Sequence, residues 1–324
     1  MTYISSGESP LSSLIFKPLE QVKFTYEPDV SVSPLYDLIW HAGWWFSDCE
    51  HPRPTWSGYM QHVSKPFREC PPAADIRMLR IMAMNPNDMN CIFSTLYFLE
   101  KQASLLNLET ACVTFDQPLW LKAVEVVQAT GLNVVCRLGS FHVVMSFLGS
   151  IGTLMAGSGL DDALKSCFGP VTVKHMLTGK AESRAVRGHF LVDDALHVLL
   201  MRQFCEVSED FDCNKEQIKA DIRDLYKSLM EGTFHVSEDA VELPTCVQQF
   251  QEILESCKLK LSQESRTAKL WLQYTDYIQT LKDFIRADRI GNWTLHLVSL
   301  SKMLHLFAAT GHRHYAKSAR FTYN

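Results

Sequence analysis

The sequence predicts an α/β protein that is mostly helical, with a small parallel sheet in its first half. Short apolar runs at residues 78–84, 111–115 and 133–136 alternate with segments of helical period. Parallel neighbours need such crossovers, because a tight hairpin cannot join them. After Phe141 apolar residues recur at steps of three and four and no further strand stands out. With 47% hydrophobic residues in a chain of 324, there is enough apolar surface for a substantial core in one large domain or two ordinary ones.

Taken in order, residues 1–34 are rich in Ser and Pro, lack a helical period and read as extended or disordered. Residues 35–142 form the small α/β part and residues 143–324 a helical region. The α/β part opens on an aromatic segment, residues 35–46, with Tyr36, Trp40, Trp44 and Trp45, followed by a loop from His51 to Pro72. Residues 78–84 read as a strand, and Asn85-Pro86-Asn87-Asp88 as a turn and helix cap. A helix runs to about Leu106, and a second strand covers residues 111–115. Pro118 then suits the first turn of a helix that stops at Gly131, before the third strand. Helices follow at 183–205, 215–231, 245–261, 266–289 and 292–310. In the fourth of these, Trp271, Tyr274, Ile278, Leu281 and Ile285 share one face. The last is apolar nearly all round and belongs inside a bundle, capped by Asn292 and ended by Gly311.

Charge excludes a global attraction to nucleic acid, since 31 Lys and Arg face 36 Asp and Glu. Any DNA contact must be local. Cys91, Cys136 and Cys205 sit among apolar neighbours, as buried free thiols do, which suggests a reducing, intracellular compartment. The first residues lack the pattern of a signal peptide, and no uninterrupted apolar stretch reaches membrane-span length. No Gly-rich phosphate loop occurs, so no nucleotide cofactor is expected. Gly149, Gly152, Gly157 and Gly159 follow a helical run, where close packing and helix termination explain them.

Two residues stand where ligands bind in open α/β sheets, at the carboxyl edge of the strands. Asp116 ends the second strand, and the alternative reading is that it caps the next helix. His142 follows the third strand, where a hydrogen-bonded structural histidine is the commoner finding. Cys49, His51, His62 and Cys70 cluster but lack zinc-site spacing. His296 and His305, nine apart on one helix, fall on opposite sides and cannot share a metal. His312, Arg313, His314, Lys317 and Arg320 make a modest basic spot, read as a solvated end with phosphate contact as the lesser option.

Several stretches between Asn85 and Lys317 resemble a family of uncharacterised, multi-copy proteins of animal genomes that look like products of DNA transposons. They are Val113-Thr114-Phe115-Asp116-Gln117-Pro118-Leu119, Arg137-Leu138-Gly139-Ser140-Phe141-His142, Gly149-Ser150-Ile151-Gly152, Arg184-Ala185-Val186-Arg187-Gly188-His189, Phe284-Ile285-Arg286-Ala287-Asp288-Arg289 and Gly291-Asn292-Trp293-Thr294-Leu295-His296-Leu297. More distantly, the order of acid, helix, strand and histidine is similar to Mutator-like and hAT-like transposase cores. That resemblance implies a partial RNase H-like three-layer centre with a large helical insertion or a C-terminal helical bundle. It also implies a nuclear protein whose partners are DNA or an intact relative.

In such cores three acids hold two divalent ions that activate water and stabilise the leaving oxygen. By this likeness Asp116 corresponds to the second acid, a catalytic and metal-binding position, and His142 to the histidine after the next strand. Longer members carry an upstream strand with another Asp and a downstream helix with a Glu, and neither has a counterpart here. Asp283 and Asp288 lie late in a helix beside Lys282 and Arg289, where surface placement is the ordinary expectation. One carboxylate cannot hold two ions, so the expectation is a remnant without strand cleavage of its own. No cofactor is then required, and Mg or Mn enters only if the transposase-like site functions. The rival reading is a helical protein-protein interaction module, docking through residues 35–46 or 266–289, without a nucleic-acid role.

Overall fold

The structure is a computed structural model that describes residues 33–47, 53–64, 76, 78–79, 81–206, 215–233 and 244–323. The extended reading of residues 1–32, and Cys49, His51 and Cys70, fall outside these. The described residues are mostly helical, with two parallel strands.

The α/β unit comprises α3 (Met89–Leu105), β1 (Ala111–Phe115), α4 (Gln117–Thr130) and β2 (Val134–Leu138). Its boundaries follow local chemistry. Asp88 accepts from the Asn90 N–H to start α3, and Asp116 accepts from the Leu119 N–H at 3.2 Å to start α4. Gly131 ends α4 at φ 69°, a left-handed conformation that Gly adopts without a Cβ clash. The two strands pair in parallel with Ala111 opposite Val134 and Phe115 opposite Leu138. Ala111, Val113, Val134 and Cys136 point inward, where α3 and α4 share one cluster with them through Ile92, Leu96, Ala123 and Val126.

The expected strand at residues 78–84 does not form: none of its described residues is in a strand. Met78 is 95% and Ile81 92% exposed. An apolar run with β propensity becomes a strand only when a neighbour pairs with its backbone, and here β1 pairs with β2 alone.

The helical body begins with α1 (Ser33–Phe46) and α2 (Trp56–Ser64) and continues through α5 (Ser140–Leu154), α6 (Leu160–Lys165), α7 (Pro170–Leu177) and α8 (Glu182–Glu206). It is completed by α9 (Lys215–Glu231), α10 (Thr245–Glu264), α11 (Arg266–Ile290), α12 (Trp293–Ala309) and α13 (Arg313–Tyr323). The aromatic segment is thus a helix, and Tyr36, Ile39 and Trp40 enter a cluster with Phe204 on α8, Ile222 on α9 and Phe250 on α10. A second cluster joins α5, α11 and α12 through Phe147, Tyr274, Phe284 and Phe307.

The face expected on α11 is the buried one, with Tyr274, Ile278 and Leu281 inaccessible. The thiol expectation holds for Cys91 and fails for Cys205, which is exposed at the end of α8. Nearby apolar residues in sequence need not surround the same point in space. Gly152 on α5 has a plain cause: a Cβ there would overlap the Leu177 carbonyl at the end of α7. Gly179 likewise lies against the Met145 carbonyl, at φ 73°. These contacts press the turn between α7 and α8 onto the middle of α5.

Candidate functional site

At the carboxyl edge of the sheet, the Gly139 N–H donates to the Phe115 carbonyl and holds the two strand ends together. Asp116 is exposed and its side chain caps α4, so the capping reading is realised at this position. His142 is exposed in the first turn of α5 and meets the edge of the Phe141 ring. No hydrogen bond joins the two among the described residues.

A different acid is gathered at this edge. Asp288, late in α11, forms an ion pair with Arg137 of β2 and sits 2.9 Å from Nδ1 of His296. Burial pushes its carboxyl up, but hydrogen bonds from His296 and Ser140, with the Arg137 charge, hold it below the usual carboxylate range. Trp293 stacks on His296 at 4.9 Å, and the Arg137 guanidinium lies over the Trp293 ring. His296 is buried and His305 exposed, in keeping with their expected opposite sides. The surface placement expected for both acids of α11 is overturned. Asp288 is half-buried and Asp283 buried, because the second half of α11 runs through the interior and buries Lys282, Asp283 and Arg286 with its apolar residues.

The larger concentration of charge lies where α1, α8 and α11 cross. Lys282 Nζ donates to Asp193 Oδ2 at 2.6 Å and to His41 Nε2 at 3.2 Å. The far nitrogen of His41, Nδ1, lies 3.3 Å from Asp194, which Arg53 also holds at 2.9 Å. One turn away Arg286 donates to Asp37 at 2.5 Å, and Gln279 bridges Asp37 and Asp283. Burial pushes the His41 pKa well below its ordinary value, with His197, Lys282 and Arg53 adding to the effect. Burial likewise pushes Asp283 up to about 6, against the pull of Arg286. For Asp37 burial works upward, and Arg286 and Lys282 outweigh it.

His41, Asp193 and His197 have potential ligand atoms within 4.8 Å of one another, and Asp116 belongs to no such group of three among the described residues. Two facts argue against an ion at the histidine group. The His41 and His197 rings stack in parallel, 4.0 Å apart and 4° from coplanar directions, so their in-plane lone pairs run in separate planes. A metal bound at about 2 Å lies in both ring planes, which this stack forbids. The Lys282 ammonium also already supplies a positive charge against Asp193. The arrangement is a buried ionic network that fixes helix register. Sequence spacing could not reveal it, since its members are up to 249 residues apart.

The basic spot near the C-terminus is better placed than its sequence suggested. His312 stacks no acid but contacts Ser150 and Thr310 through Nδ1, at 3.2 and 3.0 Å, and its Nε2 lies over Gly149. The Thr178 carbonyl approaches the same Gly149. The start of α13 therefore sits beside the α7–α8 turn, with α5 between them.

These features define a predominantly helical protein built on a two-stranded parallel sheet and tied together by buried charge. Residues 55–323 match the DUF8702 family, described as a domain of unknown function, and the chain belongs to that family. No curated protein and no solved structure matches the chain. Among the described residues, no helix is long and apolar enough to cross a membrane.

Two outcomes test the buried polar groups of the interior. Lys282→Met removes the one ammonium beside the buried Asp193, leaving only the His41 and His197 rings near its carboxyl, and is expected to cost about 3–5 kcal/mol in urea unfolding, with the double change Lys282→Met and Asp193→Asn recovering most of it. The second is pH dependence. His189 is fully buried against the Tyr274 hydroxyl, and burial lowers its pKa from 6.5 to about 4. Below pH 6.5 the unfolded chain takes up a proton that the folded His189 refuses, so its contribution is present above pH 6.5 and lost as pH falls toward 4. Asp283 works oppositely, gaining its proton first in the folded state. At about 1.4 kcal/mol per unit, His189→Gln is expected to narrow the stability difference between pH 7 and pH 4.5 by about 2–3 kcal/mol.

Proposed function

We propose that this chain is a transposon-derived DNA-binding protein that holds the phosphate backbone at its basic end and does not cleave it. The observation that carries this is the meeting of two basic segments. Residues 170–192, which include the α7–α8 turn, hold Lys174, Lys180, Arg184 and Arg187 against one acid, Glu182, and residues 289–324 hold five more Lys and Arg and no acid. The chain as a whole is at −5. Through the contacts on Gly149, Met145 and Ser150, the α7–α8 turn and the start of α13 become neighbours, with Lys174, Lys180, Arg184, Arg187, Arg313 and Lys317 exposed. Clustered cations on one surface attract a polyanion locally even when the net charge is negative.

The unit from α3 to β2, with Asp116 at a strand end, supports reading it as a remnant of an RNase H-like centre. The reading without cleavage is supported by the acids: Asp116 caps α4 and Asp288 is held by Arg137 and His296. Two metal ions need several free carboxylate oxygens. The rival interaction-module reading loses both surfaces named for it, because the apolar faces of α1 and α11 are in the interior.

The test is fluorescence anisotropy with a labelled duplex across about 50–200 mM salt, beside Arg184→Glu and Arg313→Glu. Binding is expected to weaken steeply with salt, and each neutralised contact to reduce the log–log slope by about 1. No nicking is expected with Mg²⁺ or Mn²⁺. Binding that ignores salt and both variants contradicts the proposal, and nicking abolished by Asp116→Ala contradicts its second half.

A further inference from the structure

Two aromatic rings stand in solvent where the strands end. Phe141, in the first turn of α5, is 58% exposed and Trp293, in the first turn of α12, is 46% exposed. Both are tied to one acid. Ser140, the neighbour of Phe141, is hydrogen-bonded to Asp288, and Asp288 holds His296, on which one face of Trp293 is stacked. The Arg137 guanidinium also lies over the indole, and the Phe141 ring meets the exposed His142 edge to face at 5.3 Å. We infer that this edge binds the unpaired bases of single-stranded DNA, with Phe141 and Trp293 as stacking surfaces and α13 as the track for the phosphates. Such a site rests on the DNA-binding reading above and adds to it a preference for single strands over the duplex.

The packing of α5 places these rings beside the cations. Positions four apart lie above one another on a helix, so Phe141, Met145 and Gly149 form one row of α5, and His142, Ser146 and Ser150 form the next. The α7–α8 turn rests on the first row, with Gly179 against the Met145 carbonyl and the Thr178 carbonyl near Gly149. The other row carries the start of α13: His312 contacts Ser150, and the Tyr315 hydroxyl is hydrogen-bonded to Ser146. The first residue of each row, Phe141 and His142, remains exposed. α13 then continues toward the strand ends, where Gln117, the first residue of α4, donates to Ser318 at 3.1 Å. Arg313, Lys317 and Arg320, at steps of four and three, lie exposed along one side of α13, opposite the buried Ser318 and Ala319. A line of cations therefore runs from the middle of α5 to the edge where the rings stand.

The chemistry of this edge separates bases from phosphates. The exposed carboxylate of Asp116 disfavours a phosphate there, whereas a base is uncharged and offers a flat face that an aromatic ring can cover. The phosphates are drawn to α13 instead, so the two parts of the strand go to different places, as a flexible single strand permits. In a duplex each base is already stacked between its neighbours and reaches a ring on a protein surface only after it is unstacked. A protein partner fits this edge less well, because Arg137, Asp288 and His142 border the rings and leave no continuous apolar patch.

The experiment titrates the full chain into a labelled oligothymidine, a duplex of the same length and an abasic strand of the same length, which keeps the phosphates without bases, each across a salt series. The oligothymidine is expected to bind about tenfold tighter than the other two. Phe141→Ala is expected to weaken the oligothymidine roughly tenfold, with the salt slope and the duplex affinity unchanged. Trp293→Leu, which keeps an apolar side chain over His296, is expected to do the same. Phe141→Trp restores the affinity, and its indole fluorescence is quenched when the oligothymidine binds. Because Phe141 is exposed, both of its variants are expected to keep the wild-type melting temperature. Equal affinity for all three probes, unmoved by Phe141→Ala, overturns the stacking role and leaves the DNA-binding reading standing. No binding of any probe overturns both.

Discussion

α11 carries Lys282, Asp283 and Arg286 into the interior within two turns, and the rest of the structure has to answer those charges. A buried ion without a partner costs several kcal/mol, more than most domains can spare. α8 answers Lys282 with Asp193, and α1 answers it with His41 and answers Arg286 with Asp37. Each pairing fixes one helix in rotation and in height, because a shift of one residue turns the partner by about 100° around its axis. Apolar packing between α1, α8 and α11 is non-directional, whereas each ion pair requires its two partners at one height and one rotation. In its last turn the same helix carries Asp288, whose pair with Arg137 ties the helical body to the sheet. One helix therefore sets the relation between the two parts of the chain.

That use of charge bears on function. Of the acids near the sheet edge, Asp116 caps α4 and Asp288 pairs with an arginine and a histidine. The α7–α8 turn and the residues that open α13 both rest on α5, at Gly149 and Ser150. The glycines of α5 matter for this reason. Without the close approach at Gly152, α7 would stand off from α5, and the α7–α8 turn would lose its place on that helix.

The local signals in the sequence were legible. Asp88, Asp116 and Asn292 act as the helix caps their positions suggested, and Gly131, Gly291 and Gly311 take positive φ at helix ends. The faces of α11 and α12 follow from their apolar spacing, because a helix buries whatever its period repeats. What failed depends on distant residues. The run at 78–84 has strand composition, yet pairing is decided by a neighbour that composition does not name. Asp283 and Asp288 looked like surface acids because the arginine and histidine that receive them lie in other elements. His142 does lie at the sheet edge, while the roles of the residues that fill that edge, Arg137, Ser140 and Trp293, depend on Asp288 and His296 from other elements, which local sequence does not name. An excess of charged residues at positions that the helical period assigns to the interior of α11 was the one available hint.

The central claim is that the charged face of α11 makes α1, α8 and α11 one cooperative unit, and native-state hydrogen exchange tests it most directly. If the ionic set fixes all three helices, their slowest amides exchange with the same free energy and the same denaturant dependence, as a single opening. If α1 exchanges through a separate, lower-energy opening while α8 and α11 stay protected, the network does not hold the structure together and the account is wrong.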